Sequence, residues 1–373
     1  MSKPVLTVGM IGYQFMGRAH SNAYRQVGRF FDLPCDVRMK TVCGRTESAV
    51  KEAADQLGWE GYATDWRAVI ADPEIDIIDI STPGNTHCEI AIAAAEAGKI
   101  VFCEKPIGNT LDEAERMWAA VEKSGKPSAV FHNYRKAPAV ALAKKWVASG
   151  KLGEIHHFRA RYLQDWIADP EFPMVWRLKK ATTGSGALGD IGSHIIDLAR
   201  HLVGEFSEVC GMTHTFISER PDGQGGRDQV DVDDAAIWMA RLGDGTLGSF
   251  EASRFAVGRK NHNTFEINGS KGSVVFDLER MNELEYYDNT EPTEQQGFRV
   301  IQATAAEHPY AGNFWPSGHI IGYEHTFINL LADAFSAICN DQETSPNLYD
   351  GLQNQRVLDA VDRSSESRSW VKI

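Results

Sequence analysis

The stretch GMIGYQFMG, Gly9–Gly17, closes a short apolar run (PVLTVGMIG) and opens a helical one (RAHSNAYRQV). It has the form of the turn that carries a dinucleotide's pyrophosphate. Ile11 ends the strand, Gly12 makes the tight turn, and Gly17 lets the following helix pack close. Gln14 stands where a middle glycine would let the backbone approach the phosphates. Its Cβ forbids so close a contact, but its amide can donate to a phosphate oxygen. By themselves two glycines fit a purely structural βα turn as well, so the flanking sequence decides.

That flank alternates strand and helix. DVRMKTVCG is a strand. TESAVKEAADQLG is a helix with Thr46 as N-cap and Gly58 as stop. EIDIIDIST is a strand, HCEIAIAAAEAGK a helix ending at Gly98, and KIVFCE a strand; TLDEAERMWAAVEKSG is a helix and PSAVFHN a strand. Such alternation predicts βαβ units and a parallel, Rossmann-type sheet covered on both faces. In that setting the helix N-terminus behind the turn directs N–H groups at a phosphate, so Gly12, Gln14, Phe15, Met16 and Gly17 are candidate cofactor residues.

After about Asn133 the rhythm changes. EIHHFRARYLQ, EVCGMTHTFI, AAIWMARLGDGTLGSFEAS, TFEINGSKGSVVFDL and ELEYYD alternate like strands, and Asp244–Gly245 and Asn268–Gly269 are turn signals. They predict antiparallel hairpins and an α+β domain on a large, mostly antiparallel sheet, with one face on helices and the other available to an oligomer. Helices are expected in GYEHTFINLLADAFSAI and GLQNQRVLDAVDRSS. The expected fold class is α/β: a dinucleotide-binding domain over residues 1–132, then a substrate-binding and oligomerisation domain over residues 133–373.

The 373 residues suit two domains, and 43% apolar with 24% charged residues is ordinary for a globular protein. A net charge of −13 disfavours a nucleic-acid or anionic-membrane surface. There is no apolar run of membrane-spanning length, and MSKPVLTVGM lacks the apolar core of a signal peptide. Six scattered cysteines without a C-x-x-C fit reduced thiols in a cytoplasm and no metal site.

Two stretches carry the chemistry. VFCEKP, Val101–Pro106, closes a parallel strand at its C-terminal end, where ligands bind in such sheets, and offers Lys105. GSGALGDIGSHIIDLARHL, Gly184–Leu202, puts Asp190, His194 and Asp197 at i, i+4 and i+7, one helical stripe. Its four glycines weaken a helix start, a feature that fits close approach of a ligand. Each stretch also has a bland reading, a surface lysine and a capped helix with a solvated acidic edge. Together they suit oxidation of a secondary alcohol: His194 as base, Lys105 as the cation beside the developing alkoxide, and Asp190 to orient either. The second strand ends in TVCGRTES. Gly44 occupies the position of the acid that holds a ribose 2′-hydroxyl in NAD enzymes, and Arg45 follows. This permits a 2′-phosphate and leaves NADP open beside NAD.

These residues, with STPGNTH (Ser81–His87), NYR (Asn133–Arg135) and GDIGSHIID, are where the chain resembles the Gfo/Idh/MocA family of nicotinamide-dependent sugar and polyol oxidoreductases. The resemblance spans essentially the whole chain. It implies a catalytic set of Lys105, Asp190 and His194, and a cofactor lined by Thr82, Pro83, His87, Glu104, Lys105 and Asn133. Two departures stand out: Gln14 for the middle glycine, and Gly84 where asparagine is usual. Arg161–Lys180 is similar to the levoglucosan dehydrogenase branch, which oxidises a sugar C3 hydroxyl with NAD. In that segment Trp166 and Trp176 offer faces to sugar C–H groups, and Arg161, Tyr162, Gln164, Asp165 and Arg177 offer hydroxyl partners, although core packing explains the tryptophans as readily. The resemblance implies a homodimer or homotetramer acting on a small carbohydrate. The alternatives are a family glycosidase or lyase that oxidises C3 only transiently, and a non-catalytic sugar sensor, against which the intact catalytic set speaks.

Overall fold

The computed structural model describes residues 3–243 and 245–373, so Asp244 of the expected Asp244–Gly245 turn lies outside the described residues. The chain forms two compact units, Met1–Lys136 with Gly322–Gln353, and Ala137–Ile321 with Asn354–Ile373.

In the first unit, β1 (Val5–Ile11), β2 (Asp36–Cys43), β3 (Gly61–Ala63), β4 (Ile77–Ile80), β5 (Ile100–Cys103) and β6 (Ser128–Val130) form one sheet, ordered β3-β2-β1-β4-β5-β6. Every pairing in it is parallel. Helices α1 (Phe15–Phe30), α2 (Glu47–Leu57), α3 (Trp66–Ala71), α4 (His87–Glu96) and α5 (Leu111–Ser124) make the connections. β4 and β5 are buried at every position, which is why they read as apolar runs, broken only by Asp79 in β4. The strand order reverses between β1 and β4, so the turns after these two strands flank the crevice where such sheets bind ligands. α2 stops as expected at Gly58, left-handed at φ 81°, but the Thr46 hydroxyl makes no capping bond.

The second unit contains α6 (Pro138–Ala148), β7 (Ile155–Leu163), α7 (Lys180–Thr183), α8 (Ser193–Val203), β8 (Phe206–His214), β9 (Glu219–Pro221), β10 (Arg227–Gln229), β11 (Ala235–Leu242), β12 (Thr246–Ser253), β13 (His262–Gly269), β14 (Gly272–Asp277), β15 (Glu283–Asp288), β16 (Arg299–Gln302) and β17 (Val371–Lys372). Its nine-stranded sheet is ordered β16-β15-β14-β13-β7-β12-β11-β8-β17 and is antiparallel except between β7 and β12. Along β11 Ala236, Trp238, Ala240 and Leu242 are buried, while Ile237 and Met239 face out. The β13–β14 hairpin turns at Ser270–Lys271, not at Asn268–Gly269. Gly269 serves packing instead, since a Cβ there would stand 2.2 Å from the Leu152 carbonyl oxygen.

The last helices, α9 (Tyr323–Cys339) and α10 (Leu348–Ser367), explain why the single break expected after residue 132 is replaced by three, after residues 136, 321 and 353. The 3₁₀ turn Asn133–Lys136 is tied to the Gly322–Gln353 segment by Asn133 Nδ2 donating to Thr326 Oγ1 (2.7 Å), Lys136 to Asp333 (2.7 Å) and Arg135 to Asp350 (3.1 Å). Those partners lie about two hundred residues away in sequence, beyond the reach of any local pattern.

Candidate functional site

In the first unit the glycine turn is built as its sequence requires. Gly12 has φ 109°, a conformation open to glycine, and a Cβ there would lie 2.7 Å from the Ser81 carbonyl oxygen. At Gly17 a Cβ would meet the Gly12 carbonyl oxygen at 2.5 Å, so α1 starts hard against the turn. Gln14 is the residue before α1, exposed, and makes no side-chain cap. Phe15 is exposed and stacks on Tyr323, and Met16 is half-buried. The helix end thus keeps an uncapped cradle of free backbone N–H groups, with the partial positive charge of a helix N-terminus, suited to a phosphate group.

Gly44 has a reason that composition did not reveal. A Cβ there would stand 2.0 Å from Tyr13 Cε1, so the ring of Tyr13 fills the place of an acidic side chain. Arg45 is exposed beside it. Thr82 and Thr86 share a hydroxyl hydrogen bond of 2.7 Å. His87 is buried, with Nε2 2.7 Å from the Thr82 carbonyl oxygen and Nδ1 3.0 Å from that of Pro106. Burial lowers its pKa, outweighing these two contacts. A neutral His87 has one N–H, so it donates to one of these two carbonyl oxygens and packs against the other, between the Thr82–Pro83 turn and the E-K-P turn. Asn133 is buried and spends its amide on Thr326.

Glu104 is also buried. Its Oε2 accepts the Lys105 backbone N–H at 3.0 Å, and its Oε1 lies 2.9 Å from His20 Nε2. The Lys105–Pro106 peptide that follows is cis.

In the second unit the expected helix over Gly184–Leu202 is interrupted. Leu188–Gly192 forms a π-turn that leads into α8, and Asp190 sits within it. The glycines answer to the protein's own packing rather than to a ligand. A Cβ at Gly186 would be 1.7 Å from the Asp233 carbonyl oxygen, and one at Gly189 would be 2.2 Å from Ser185 Oγ. Asp233 secures this start, accepting from Gly186 N (2.6 Å) and Leu188 N (2.8 Å). Burial nonetheless raises its pKa.

Asp190 pairs with Arg254, whose Nη2 donates to Oδ2 at 2.8 Å from an almost wholly buried position. Arg177 lies in the same field: burial lowers its pKa, Asp190 opposes that, and Arg254 adds to it. His194 is 7% exposed, with the Tyr162 ring 5.7 Å away. Asp197 does not join a catalytic stripe. It is buried and accepts from Asn354 Nδ2 at 2.9 Å, while Arg200 Nη1 donates to the Asn354 side-chain oxygen Oδ1 at 2.8 Å.

The Arg161–Arg177 candidates divide. Tyr162 donates to Asn261 Oδ1 at 2.6 Å; Gln164 Nε2 donates to the same oxygen and its Oε1 accepts from Trp166 Nε1, both at 3.1 Å. This chain of hydrogen bonds ends at the ring beside His194. Trp166 also lies under the Arg254 guanidinium, 5.4 Å from its ring centre. Arg161 is exposed on the other face of β7, because successive strand residues alternate sides. Asp165 is held by Lys260 at 2.8 Å and by Gly258 N, and the Lys260 bond lowers its pKa. Trp176 is half-exposed and stacks under Arg177.

Sequence reasoning missed His20, Tyr13, Asn261 and Arg254. His20 alone left a trace, as a histidine on the inward side of α1 just after the glycine turn.

Among known proteins, residues 6–132 match the oxidoreductase family with an NAD-binding Rossmann fold, and residues 140–275 match the GFO/IDH/MocA C-terminal domain. The levoglucosan dehydrogenase of Pseudarthrobacter phenanthrenivorans is 44% identical, over 99% of this chain and 98% of its own. The fold of this chain is shared with a levoglucosan dehydrogenase solved with NADH and levoglucosan, at a TM-score of 0.96, 45% identity and 99% coverage of both chains. An oxidoreductase domain protein from Kribbella flavida is similar at a TM-score of 0.97 and 52% identity over 100% of both chains. The chain therefore belongs to the Gfo/Idh/MocA family of oxidoreductases, with an NAD-binding Rossmann domain in its first unit.

Proposed function

We propose that this protein is an NAD-dependent dehydrogenase that oxidises a secondary hydroxyl, at C3, of a sugar or anhydrosugar such as levoglucosan. The full-length likeness to levoglucosan dehydrogenase, with Lys105, Asp190 and His194 all present, carries this reading. Cofactor binding belongs to the first unit: Gly12, Gln14, Phe15, Met16 and Gly17 toward the diphosphate, Gly44 and Arg45 toward the adenosine, and Thr82, Pro83, Glu104 and Lys105 toward the nicotinamide. The glycine cradle that a Cβ would fill, set against an uncapped helix end, suits a dinucleotide. When bound, NAD supplies the hydride acceptor.

Substrate binding belongs to the second unit. His194 takes the proton of the reacting hydroxyl. Lys105 stabilises the oxygen as negative charge develops on it. Asp190, fixed by Arg254, sets the local charge balance and orients the base. Tyr162 donates its proton to Asn261, so its oxygen lone pair is what it offers to a sugar hydroxyl. Gln164, Trp166, Trp176 and Arg177 shape the remaining wall.

Met212, Ile237, Met239 and Leu247 are exposed on the outward side of β8, β11 and β12. This apolar patch supports self-association into a homodimer or homotetramer. Among the described residues no helix is long and apolar enough to cross a membrane.

The test is a panel of anhydrosugars, sugars and polyols assayed for cofactor reduction. Accumulation of NADH with levoglucosan or a related sugar is the expected result. Product release from a glycoside without net NADH would replace this reading with transient oxidation and elimination.

A further inference from the structure

His20 takes no part in the reaction as proposed, yet it is fully buried among charges. Its Nδ1 lies 3.0 and 3.1 Å from the two Asp79 oxygens, and its Nε2 lies 2.9 Å from Glu104 Oε1. A neutral imidazole has a single N–H and can satisfy only one carboxylate. Both carboxyl groups accept further bonds, Asp79 from Tyr24 Oη at 2.7 Å and Glu104 from the Lys105 N–H at 3.0 Å, so each is already engaged as an acceptor. The geometry therefore calls for a ring protonated at both nitrogens. Phe131 stacks on that ring at 3.7 Å and Phe327 closes it at 5.5 Å, so water cannot replace either carboxylate.

We propose that His20, held as an imidazolium between Asp79 and Glu104, is a positioning residue that fixes the Glu104 carboxylate and, through the Lys105 N–H, the E-K-P turn in its cofactor-binding form. This rests on the reading that Glu104 and Lys105 line the nicotinamide. His20 sits in the second turn of α1, so one ion group anchors both the helix behind the glycine turn and the strand end that leads to Lys105.

Burial by itself would lower the His20 pKa, but the Asp79 charge and the bonds from Asp79 and Glu104 raise it to about 9. The other titratable groups facing this cluster stay neutral through that range. Burial raises Tyr24 and Cys103, and burial with Tyr134 and Glu104 raises Tyr323. Loss of the His20 proton therefore falls within reach of an alkaline titration, and it should loosen Glu104.

The experiment measures NADH binding by nicotinamide fluorescence on the full chain, with no substrate, from pH 6 to 10, for wild type, H20Q and Y24F. Y24F removes a bond to Asp79 in the same buried cluster without touching Glu104. Wild-type affinity should hold to pH 8 and weaken near pH 9. H20Q should bind at least about tenfold more weakly at neutral pH and lose the alkaline step, since small misplacements of a positioning group are costly. Y24F should lose stability but keep its affinity. If H20Q does not fold, the wild-type profile still decides, because affinity unchanged to pH 10 overturns the proposal. So does an H20Q protein with wild-type affinity and the same alkaline step, or a Y24F protein weakened as much as H20Q. Failure of the wild type to bind NADH at all would instead sink the dehydrogenase reading.

Discussion

Two motif carboxylates, Glu104 in the first unit and Asp190 in the second, are each held by a buried cation, but the cations differ in kind. Glu104 is held by His20, which shares itself with Asp79. Asp190 is held by Arg254 at 2.8 Å. A guanidinium keeps its charge at any pH a protein survives, whereas an imidazolium can be discharged. The second unit's carboxylate is thus fixed permanently, and the first unit's only while a proton is present. Similar motif acids can be held with or without sensitivity to pH, depending on a neighbour that neither motif contains.

The largest effect should come from the groups these carboxylates serve. H194A and K105A should each lower kcat by about 10²-fold or more while circular dichroism stays native. Near-normal kcat in both would remove the reason for comparing the two acids.

Next comes R254M. It leaves Asp190 without its ion pair, and removing one partner of a buried pair commonly destabilises by about 3–5 kcal/mol. Asp190 is 34% exposed, so water recovers part of this and a loss of about 1–3 kcal/mol is expected, with kcat/KM down about tenfold. Unfolding in urea checks the first number and steady-state kinetics the second. Unchanged kinetics would make Arg254 a purely structural residue.

The third prediction sharpens the contrast in pH response. The folded-state pKa of His20, about 9, lies above its ordinary 6.5. Its contribution to stability is therefore fully present below about pH 6.5 and is lost as pH rises through about 9. Urea unfolding should show stability declining across that window by a few kcal/mol in wild type and by much less in H20Q. Equal slopes in the two proteins would place the titration elsewhere.

Smaller still is N354A, which strips Asp197 and Arg200 of a shared partner and should destabilise by about 1–3 kcal/mol with kcat little changed. A large fall in kcat would give Asp197 a part in catalysis beyond its place on the helical stripe. The smallest effect is expected at the adenosine end. G44A must displace the Tyr13 ring and should raise the KM for NAD only a few-fold, about 1 kcal/mol or less, leaving kcat intact. A wild-type kcat/KM favouring NADP by about tenfold, equivalent to about 1.4 kcal/mol, would make Arg45 a 2′-phosphate ligand.

Much of the first unit was legible residue by residue. Short β-branched runs alternating with amphipathic helices dictate a parallel sheet, and Gly12 and Gly17 dictate a turn on which a helix can close. Strand alternation likewise gave the second unit's sheet, and it also placed Tyr162 and Arg161 on opposite faces, although both had been read as substrate contacts. The spacing of Asp190, His194 and Asp197 suggested one stripe, and a π-turn that inserts a register change broke it. That turn exists because Asp233, more than forty residues on, caps it.

Periodicity, turn residues and motif spacing are local properties, so the elements, the order in which strand and helix alternate, and the two stretches where chemistry is concentrated follow directly from the amino-acid order. What holds those stretches in place emerges from the folded chain alone. His20 meets Asp79 and Glu104 at separations of 59 and 84 residues, and Arg254 meets Asp190 at 64. Charges that far apart in sequence become neighbours only once the sheet order and the burial of the surrounding apolar residues are set. Burial, by excluding water, is also what makes their pairing strong enough to fix a carboxylate.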